Sequence, residues 1–226
     1  MRGTLVNAGA VLGGSLLGLR IGPRLPDALK GTLMQALGLS VLVLGLRMAL
    51  SGGDVLLPIG CLLLGGVTGE LLDIERRLEG LGEWLRDRLR FGSETFAEGF
   101  ASASLLYLTG AMMIVGSIRD GTLGDPTTLY VKALLDGVAS VALASSLGSG
   151  VAFSALSVLT VQGGITLLAS RLLFLQRPDV LAAVTATGGM LIAAIGINLL
   201  ELRRLRTGNL LPAVFYAIAA VLLGLG

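Results

Sequence analysis

Histidine is absent from this sequence, and cysteine occurs once. The first absence removes imidazole from every role it usually fills, as general base, metal ligand or haem ligand. Cys61 has no second thiol to pair with and lies in an apolar run, so it reads as a core residue. Charged residues make up 14% of the chain and aromatics 4%. A net charge of +2 gives no reason to expect a nucleic acid partner. No Walker-type glycine-lysine loop is present, which removes ATP hydrolysis by that route. Ser51-Gly52-Gly53-Asp54 lacks the first glycine of a Gly-x-Gly-Asp intramembrane protease motif and falls between apolar runs. The sequence therefore carries no enzyme signature.

What it has instead is apolar length. Of 226 residues, 54% are hydrophobic and 34 are glycine, with a mean hydropathy of +0.85. Small residues at this density suit closely packed transmembrane helices. Eight apolar segments can be placed, at 3–19, 28–50, 55–72, 95–118, 126–147, 151–175, 180–200 and 209–225. The expected fold is an all-α integral membrane domain of about eight transmembrane helices. The first run is read as a retained helix, because its one Ala-x-Ala triplet, Ala8-Gly9-Ala10, precedes the apolar stretch instead of following it. Pro58 and Pro212 fall in the first turns of segments three and eight, where a missing N–H is tolerated. Thr95 with Glu98 predicts a capping box for segment four, and Asp125-Pro126 a cap for segment five.

With eight crossings, eleven basic residues fall on one face: Arg20, Arg24, Lys30, five arginines between 76 and 90, Arg203, Arg204 and Arg206. The other face has six. The positive-inside rule then places both termini outside. Residues 73–91 are the one long polar stretch, with Ile74, Leu78, Leu81, Leu85 and Leu89 at helical spacing and balanced charge. That pattern predicts an amphipathic helix lying on the cytoplasmic interface.

Segments one to three echo segments six to eight. Gly13-Gly14 corresponds to Gly163-Gly164, Pro26-Asp27 to Pro178-Asp179, Gly38 and Gly45 to Gly189 and Gly196, and Leu56-Leu57-Pro58 to Leu210-Leu211-Pro212. The organisation predicted is a repeat over 1–72, the interfacial helix, central helices over 95–147, and a second, inverted repeat over 151–226. Inverted repeats are a recurring transporter architecture, with the site beside interrupted helices near the midplane. The matching interruptions here would be Gly13-Gly14 and Gly163-Gly164. The alternative is that these glycines permit close packing, as the Gly9/Gly13 and Gly14/Gly18 spacings also suggest.

Asp136 is the residue that points to function. It lies ten residues beyond Pro126, about 15 Å into a hydrocarbon core about 30 Å thick. A carboxylate at that depth is costly and is a functional-site candidate by default. Lys132 is four residues earlier, on the same helix face, and serves either as counter-charge or as half of a structural ion pair. Gln162 falls at comparable depth in segment six, just before Gly163 and Gly164. Its amide would bind a polar solute and freed backbone carbonyls beside the glycines a cation, the alternative being an interhelical hydrogen bond. Ser140, Glu98 and Asn7 complete the candidate ion- or substrate-binding set, with Glu98 also explained by capping. No catalytic residue, resident metal or cofactor is expected beyond a coupling ion, sodium or a proton.

Several strings resemble a known family. Glu98-Gly99-Phe100, Gly110-Ala111-Met112, Gly116-Ser117, Asp120-Gly121, Lys132, Leu135-Asp136-Gly137, Ala144-Ser145, Gly150-Val151, Phe153-Ser154-Ala155 and Gln162-Gly163 are similar to the centre of the YqgA-like bacterial membrane family, a domain of unknown function numbered 554. Gly3-Thr4 and Val6-Asn7 match its opening. The resemblance implies a multi-pass inner-membrane protein of bacteria and brings no ligand set. Three functions remain: a cation- or proton-coupled secondary transporter of a small solute or ion, a channel, or a non-transporting scaffold docking through 73–91. The partners expected are the lipid bilayer and that solute. A homodimer is one way for so small a bundle to shield its polar centre.

Overall fold

The computed structural model describes residues 1–52, 55–89, 95–108 and 111–225. Gly53 and Asp54 of the Ser-Gly-Gly-Asp string, residues 90 and 91 of the amphipathic stretch, and Gly110 of the family motif lie outside the described residues. All regular structure among the described residues is helical. In chain order the helices are α1 (Arg2–Ile21), α2 (Asp27–Ala49), α3 (Leu56–Leu71), α4 (Ile74–Leu89), α5 (Phe96–Leu108), α6 (Ala111–Thr122), α7 (Thr127–Leu147), α8 (Gly150–Ser157), α9 (Gly163–Leu167), α10 (Pro178–Leu199) and α11 (Pro212–Leu222), with a π turn over Val158–Gln162 joining α8 to α9.

Five stretches among the described residues are long and apolar enough to cross a membrane: Arg2–Arg24, Ala28–Ala49, Thr127–Leu147, Gly150–Leu167 and Pro178–Leu199. A sixth arises if α5 and the following Met112–Thr122, inclined to each other by 65°, count as one bent span. The predicted segments at 55–72 and 209–225 become shorter apolar helices, Leu56–Leu71 and Thr207–Leu222. At 1.5 Å per residue, the 16 residues of α3 reach about 24 Å, short of a full hydrocarbon core. The described residues are thus those of a helical membrane protein with five or six candidate spans.

The chain forms two compact units. One comprises Met1–Met34, Glu79–Leu108 and Met112–Leu173; the other comprises Gln35–Leu78, Thr109–Ala111 and Phe174–Gly226.

In the first unit α1 and α7 run side by side in the same direction. Gly3 faces Leu129, Gly14 faces Gly137 and Ser140, Gly18 faces Val141 and Ala144, and Gly22 faces Ser145. A Cβ on Gly14 would overlap the Gly137 carbonyl oxygen, so backbone approaches backbone here because glycine is present on both helices. The prediction that Gly13-Gly14 interrupts its helix is corrected: α1 continues unbroken from Arg2 to Ile21. Gly14 is a packing surface, and Gly13 and Gly9 face open space. α8 runs alongside α5, with Gly150 against the Phe96 carbonyl, Gly99 against Leu147, and the Phe96 and Phe153 rings 5.3 Å apart.

α7 begins one residue later than predicted, with Pro126 at the cap position; Asp125 lies before it and accepts the Thr127 N–H at 3.1 Å. Arg119 Nη2 reaches the same carboxylate at 2.7 Å. Hydrogen bonds from Thr127 and Arg119 hold Asp125 well below the ordinary 3.8, at about 2. Glu98 is exposed on α5, and the Thr95 hydroxyl donates to the Leu147 carbonyl at 3.0 Å.

The second unit is organised by an antiparallel crossing of α2 and α10. Gly45 meets the backbone of Ala193, Gly196 meets Leu42, Gly189 meets Ala49 and Gly38 meets Leu200. α3 and α11 cross likewise, with Gly65 on Ala213 and Gly69 on the Asn209 carbonyl. Glu70, at the end of α3, pairs with Arg206 and accepts from Asn209 Nδ2 at 2.7 Å. Asn209 Oδ1 in turn accepts the Glu75 N–H at 2.7 Å, which ties the start of α4 to the residues before α11.

These contacts predict which glycines are replaceable. Gly14→Leu and Gly189→Leu should each lower stability by about 1–3 kcal/mol or more through overpacking, while Gly13→Ala should be neutral or stabilising by up to about 1 kcal/mol. Thermal denaturation in detergent checks the ranking. For Asp125 the depressed value means that its contacts are fully present above pH 3.8 and are lost as pH falls toward 2; an NMR titration of its carboxyl carbon reads this directly.

Candidate functional site

Of the candidate polar side chains, Asn7, Lys132, Asp136, Ser140 and Gln162 meet at one place in the first unit, and Glu98 of segment four does not join them. α7 turns Lys132, Asp136 and Ser140 inward at four-residue spacing. α1 supplies Asn7, fully buried, and the π turn delivers Gln162, also fully buried. A π turn adds a residue to the helical repeat, rotating Gln162 toward α1; such turns are frequent at functional sites.

Asp136 Oδ2 accepts two hydrogen bonds, from Lys132 Nζ at 2.5 Å and from Asn7 Nδ2 at 3.0 Å. Asn7 Nδ2 also donates to Gln162 Oε1 at 3.0 Å. From Gln162 the chain continues, Nε2 donating to Thr4 Oγ1 at 3.2 Å, with Thr4 Oγ1 3.1 Å from Thr166 Oγ1. Thr166 Oγ1 donates back to the Gln162 carbonyl at 2.9 Å, which leaves Thr4 as donor to Thr166. On the other side Ser140 Oγ donates to the Asp136 carbonyl at 2.7 Å, so the Tyr107 hydroxyl, 2.7 Å away, is the donor to Ser140. Lys132 Nζ lies 5.9 Å from the centre of the Tyr107 ring, within reach of its negative face.

Lys132 and Asp136 are only 7% exposed, so their attraction acts in a low-dielectric setting and each compensates the other's desolvation. One fully buried side-chain oxygen of the cluster is left over: Asn7 Oδ1 has no hydrogen-bond partner. The helix does not break at Gly163-Gly164: the π turn over Val158–Gln162 runs directly into α9, with Gly163 near Thr4 and Gly164 facing open space. The Gln162 carbonyl, expected to be free, is taken by Thr166. Glu98 takes no part in these hydrogen bonds.

Four participants escaped the sequence reading. Thr4 entered only within the family's opening string, and both it and Thr166 stand at helical spacing, three before Asn7 and four after Gln162. Nothing in the pattern marked Tyr107, which is wholly buried. Asp120 was assigned to a connection, yet α6 extends to Thr122 and buries it; its Oδ2 accepts the Gly3 N–H at 3.0 Å and lies 2.9 Å from the Met1 amino group. A carboxylate at the start of α1 is favourably placed against the helix dipole.

The pair predicts a strongly non-additive mutant cycle. Lys132→Met or Asp136→Leu alone leaves an uncompensated buried charge and should cost about 3–5 kcal/mol, while the double variant should recover most of that loss. Equilibrium unfolding of the four proteins measures the coupling.

The comparisons with known proteins agree on the kind of molecule. The family model described as "Protein of unknown function (DUF554)" matches residues 2–222. The chain is 31% identical over 218 residues to the uncharacterized membrane protein YdfK of Bacillus subtilis, covering 95% of this chain and 93% of that protein. It is 27% identical over 221 residues to the uncharacterized protein YqgA of Escherichia coli, covering 96% and 94%. No solved structure matches. With a family model spanning nearly its full length and both relatives matched from end to end, the chain belongs to the DUF554 family.

Proposed function

We propose that this protein is a secondary membrane transporter of a small solute, coupled to a proton, with its site at Asp136, Lys132, Asn7 and Gln162. The observation that carries the reading is a buried charge pair beside an amide oxygen that has no donor. An ion pair held only for packing does not call for a buried amide oxygen with no donor beside it, and Asn7 Oδ1 is that oxygen. A proton suits the site better than sodium. Among the wholly buried side-chain oxygens of the cluster one acceptor is free, whereas an alkali ion takes several. The close packing of α1 on α7 also fits a carrier that opens alternately better than a continuous pore.

The inverted-repeat reading gains support from the α2–α10 crossing. Moving each partner by 151 positions converts the Gly45–Ala193 contact into Gly196–Leu42, and Gly189–Ala49 into Gly38–Leu200. Antiparallel helices with interchangeable contacts are what a pseudo-two-fold axis in the membrane plane produces. Helix directions within the first unit also suit eight crossings, since α1 and α7 are parallel and the Asn7–Gln162 and Thr4–Thr166 bonds run α8–α9 antiparallel to α1. In this reading both termini face outward, the membrane is the bacterial inner membrane, two copies associate, and the chain catalyses no covalent chemistry.

Reconstitution in proteoliposomes with an imposed pH gradient tests the proposal, after a thermal-stability screen of solutes. A ligand at a hundred times its Kd adds about 2.7 kcal/mol and is readily detected. Asp136→Asn should abolish gradient-driven accumulation of the solute found. Undiminished accumulation by that variant, or no solute binding of any kind, would sink the reading.

A further inference from the structure

The hydrogen bonds around Asp136 leave a specific gap. Asn7 Nδ2 spends its protons on Asp136 Oδ2 and Gln162 Oε1. Turning the amide over would set oxygen against two oxygens, so its orientation is determined. Asn7 Oδ1 is then fully buried with no donor. The neighbouring hydroxyls cannot supply one: Ser140 donates to the Asp136 carbonyl, Thr166 to the Gln162 carbonyl, and Thr4 to Thr166. A hydrogen on Asp136 can. A carboxylic acid and a primary amide pair through N–H to one oxygen and O–H to the other, and the first of those bonds is already in place.

The same proton removes the charge that holds Lys132. Its ammonium would then face the Tyr107 ring at 5.9 Å and no carboxylate of the cluster. Among the described residues, the groups hydrogen-bonded around the pair offer no other carboxylate. α1 brings Asn7 and Thr4, α8–α9 with its π turn brings Gln162 and Thr166, and α5 brings Tyr107, whose hydroxyl is engaged by Ser140. Asp120 on α6 is occupied by the Gly3 N–H and the Met1 amino group. A buried ammonium without a counter-charge is costly, and an anion arriving with the proton restores the charge balance that Asp136 gives up.

We infer that the solute is a small monovalent anion, bound by Lys132 when a proton occupies Asp136 and is donated to Asn7 Oδ1. The proton comes from hydronium in solvent: one of its O–H bonds breaks, the carboxyl O–H bond forms on Asp136, and water is left behind. Proton and anion enter together, and the net charge of the site is zero before and after. This rests on the carrier reading above and adds to it the class of solute and the direction of coupling, which is symport.

The test uses the full-length protein in detergent with acetate, lactate and chloride as probes, choline as a cation and glycerol as a neutral solute. Binding is followed by thermal shift and calorimetry from pH 5 to pH 8. For the anion that binds, the apparent Kd should tighten by up to about tenfold per pH unit as pH falls, because one proton enters with each anion. Asp136→Asn, which mimics the protonated acid, should bind that anion at pH 8 as tightly as wild type does at pH 5. Lys132→Gln should lose binding and Lys132→Arg should retain it. Because Lys132→Gln could fail to fold, the flat pH profile of Asp136→Asn stands as an independent readout. Anion binding with no pH dependence in wild type would overturn the coupling. Stabilisation by choline or glycerol alone would overturn the anion class while leaving the carrier reading intact. No binding by any probe at any pH, with gradient-driven transport of another solute still dependent on Asp136, would likewise overturn this inference without touching that reading.

Discussion

The contact between the Lys132 ammonium and the Asp136 carboxylate is the constraint around which the first unit is arranged. Each charge is intolerable alone at that depth in an apolar bundle, and together they are neutral. Their four-residue spacing lets one helix carry both, so the pair needs no partner from elsewhere for its charge balance. What other helices add is recognition. Asn7 from α1 shares the carboxylate, Gln162 from the π turn shares Asn7, and Tyr107 from α5 is linked through Ser140. The polar chain thus joins four helical elements, which also touch through apolar atoms, glycine and the Ser104–Ser157 and Thr95–Leu147 hydrogen bonds.

Glycine makes this chain possible. Side chains as short as those of asparagine and aspartate meet between helices only where backbones come close, and Gly14 against Gly137 provides that approach one to two turns from the Asn7–Asp136 bond. In the second unit the same device serves a different end. Gly45 and Gly196, and Gly38 and Gly189, let α2 and α10 cross with interchangeable surfaces, and no buried charge lies at that crossing. One part of the molecule uses close packing to hold a polar network, and the other uses it to let two long helices cross backbone against backbone.

Much of this was legible in the residues because the membrane penalises errors so heavily. Runs of apolar residues long enough to span can hardly be anything else, and a lone carboxylate within one draws attention by cost alone. Spacing placed Lys132 beside Asp136, and depth matched Gln162 to them. The reading was least secure where two explanations share one pattern. Paired glycines mark either a broken helix or a packed one, and Gly13-Gly14 proved to be the second while the region before Gly163 acquired a π turn. Glu98 looked like a candidate because it is acidic and near an apolar run, yet it faces outward. Asp120 looked like part of a connection, and a longer α6 buried it.

The sequence by itself determined that the chain is a helical membrane protein and that a charge pair lies within one of its spans, since both follow from local hydropathy and helical period. Only the tertiary structure decided which neighbours that pair would have. Asn7 and Asp136 are far apart in the chain, Gln162 depends on a single extra residue in one turn, and Tyr107 carries no outward sign of its partner. Their meeting follows from the register at which whole helices pack, which is set by the sum of many small contacts and is written in no single motif.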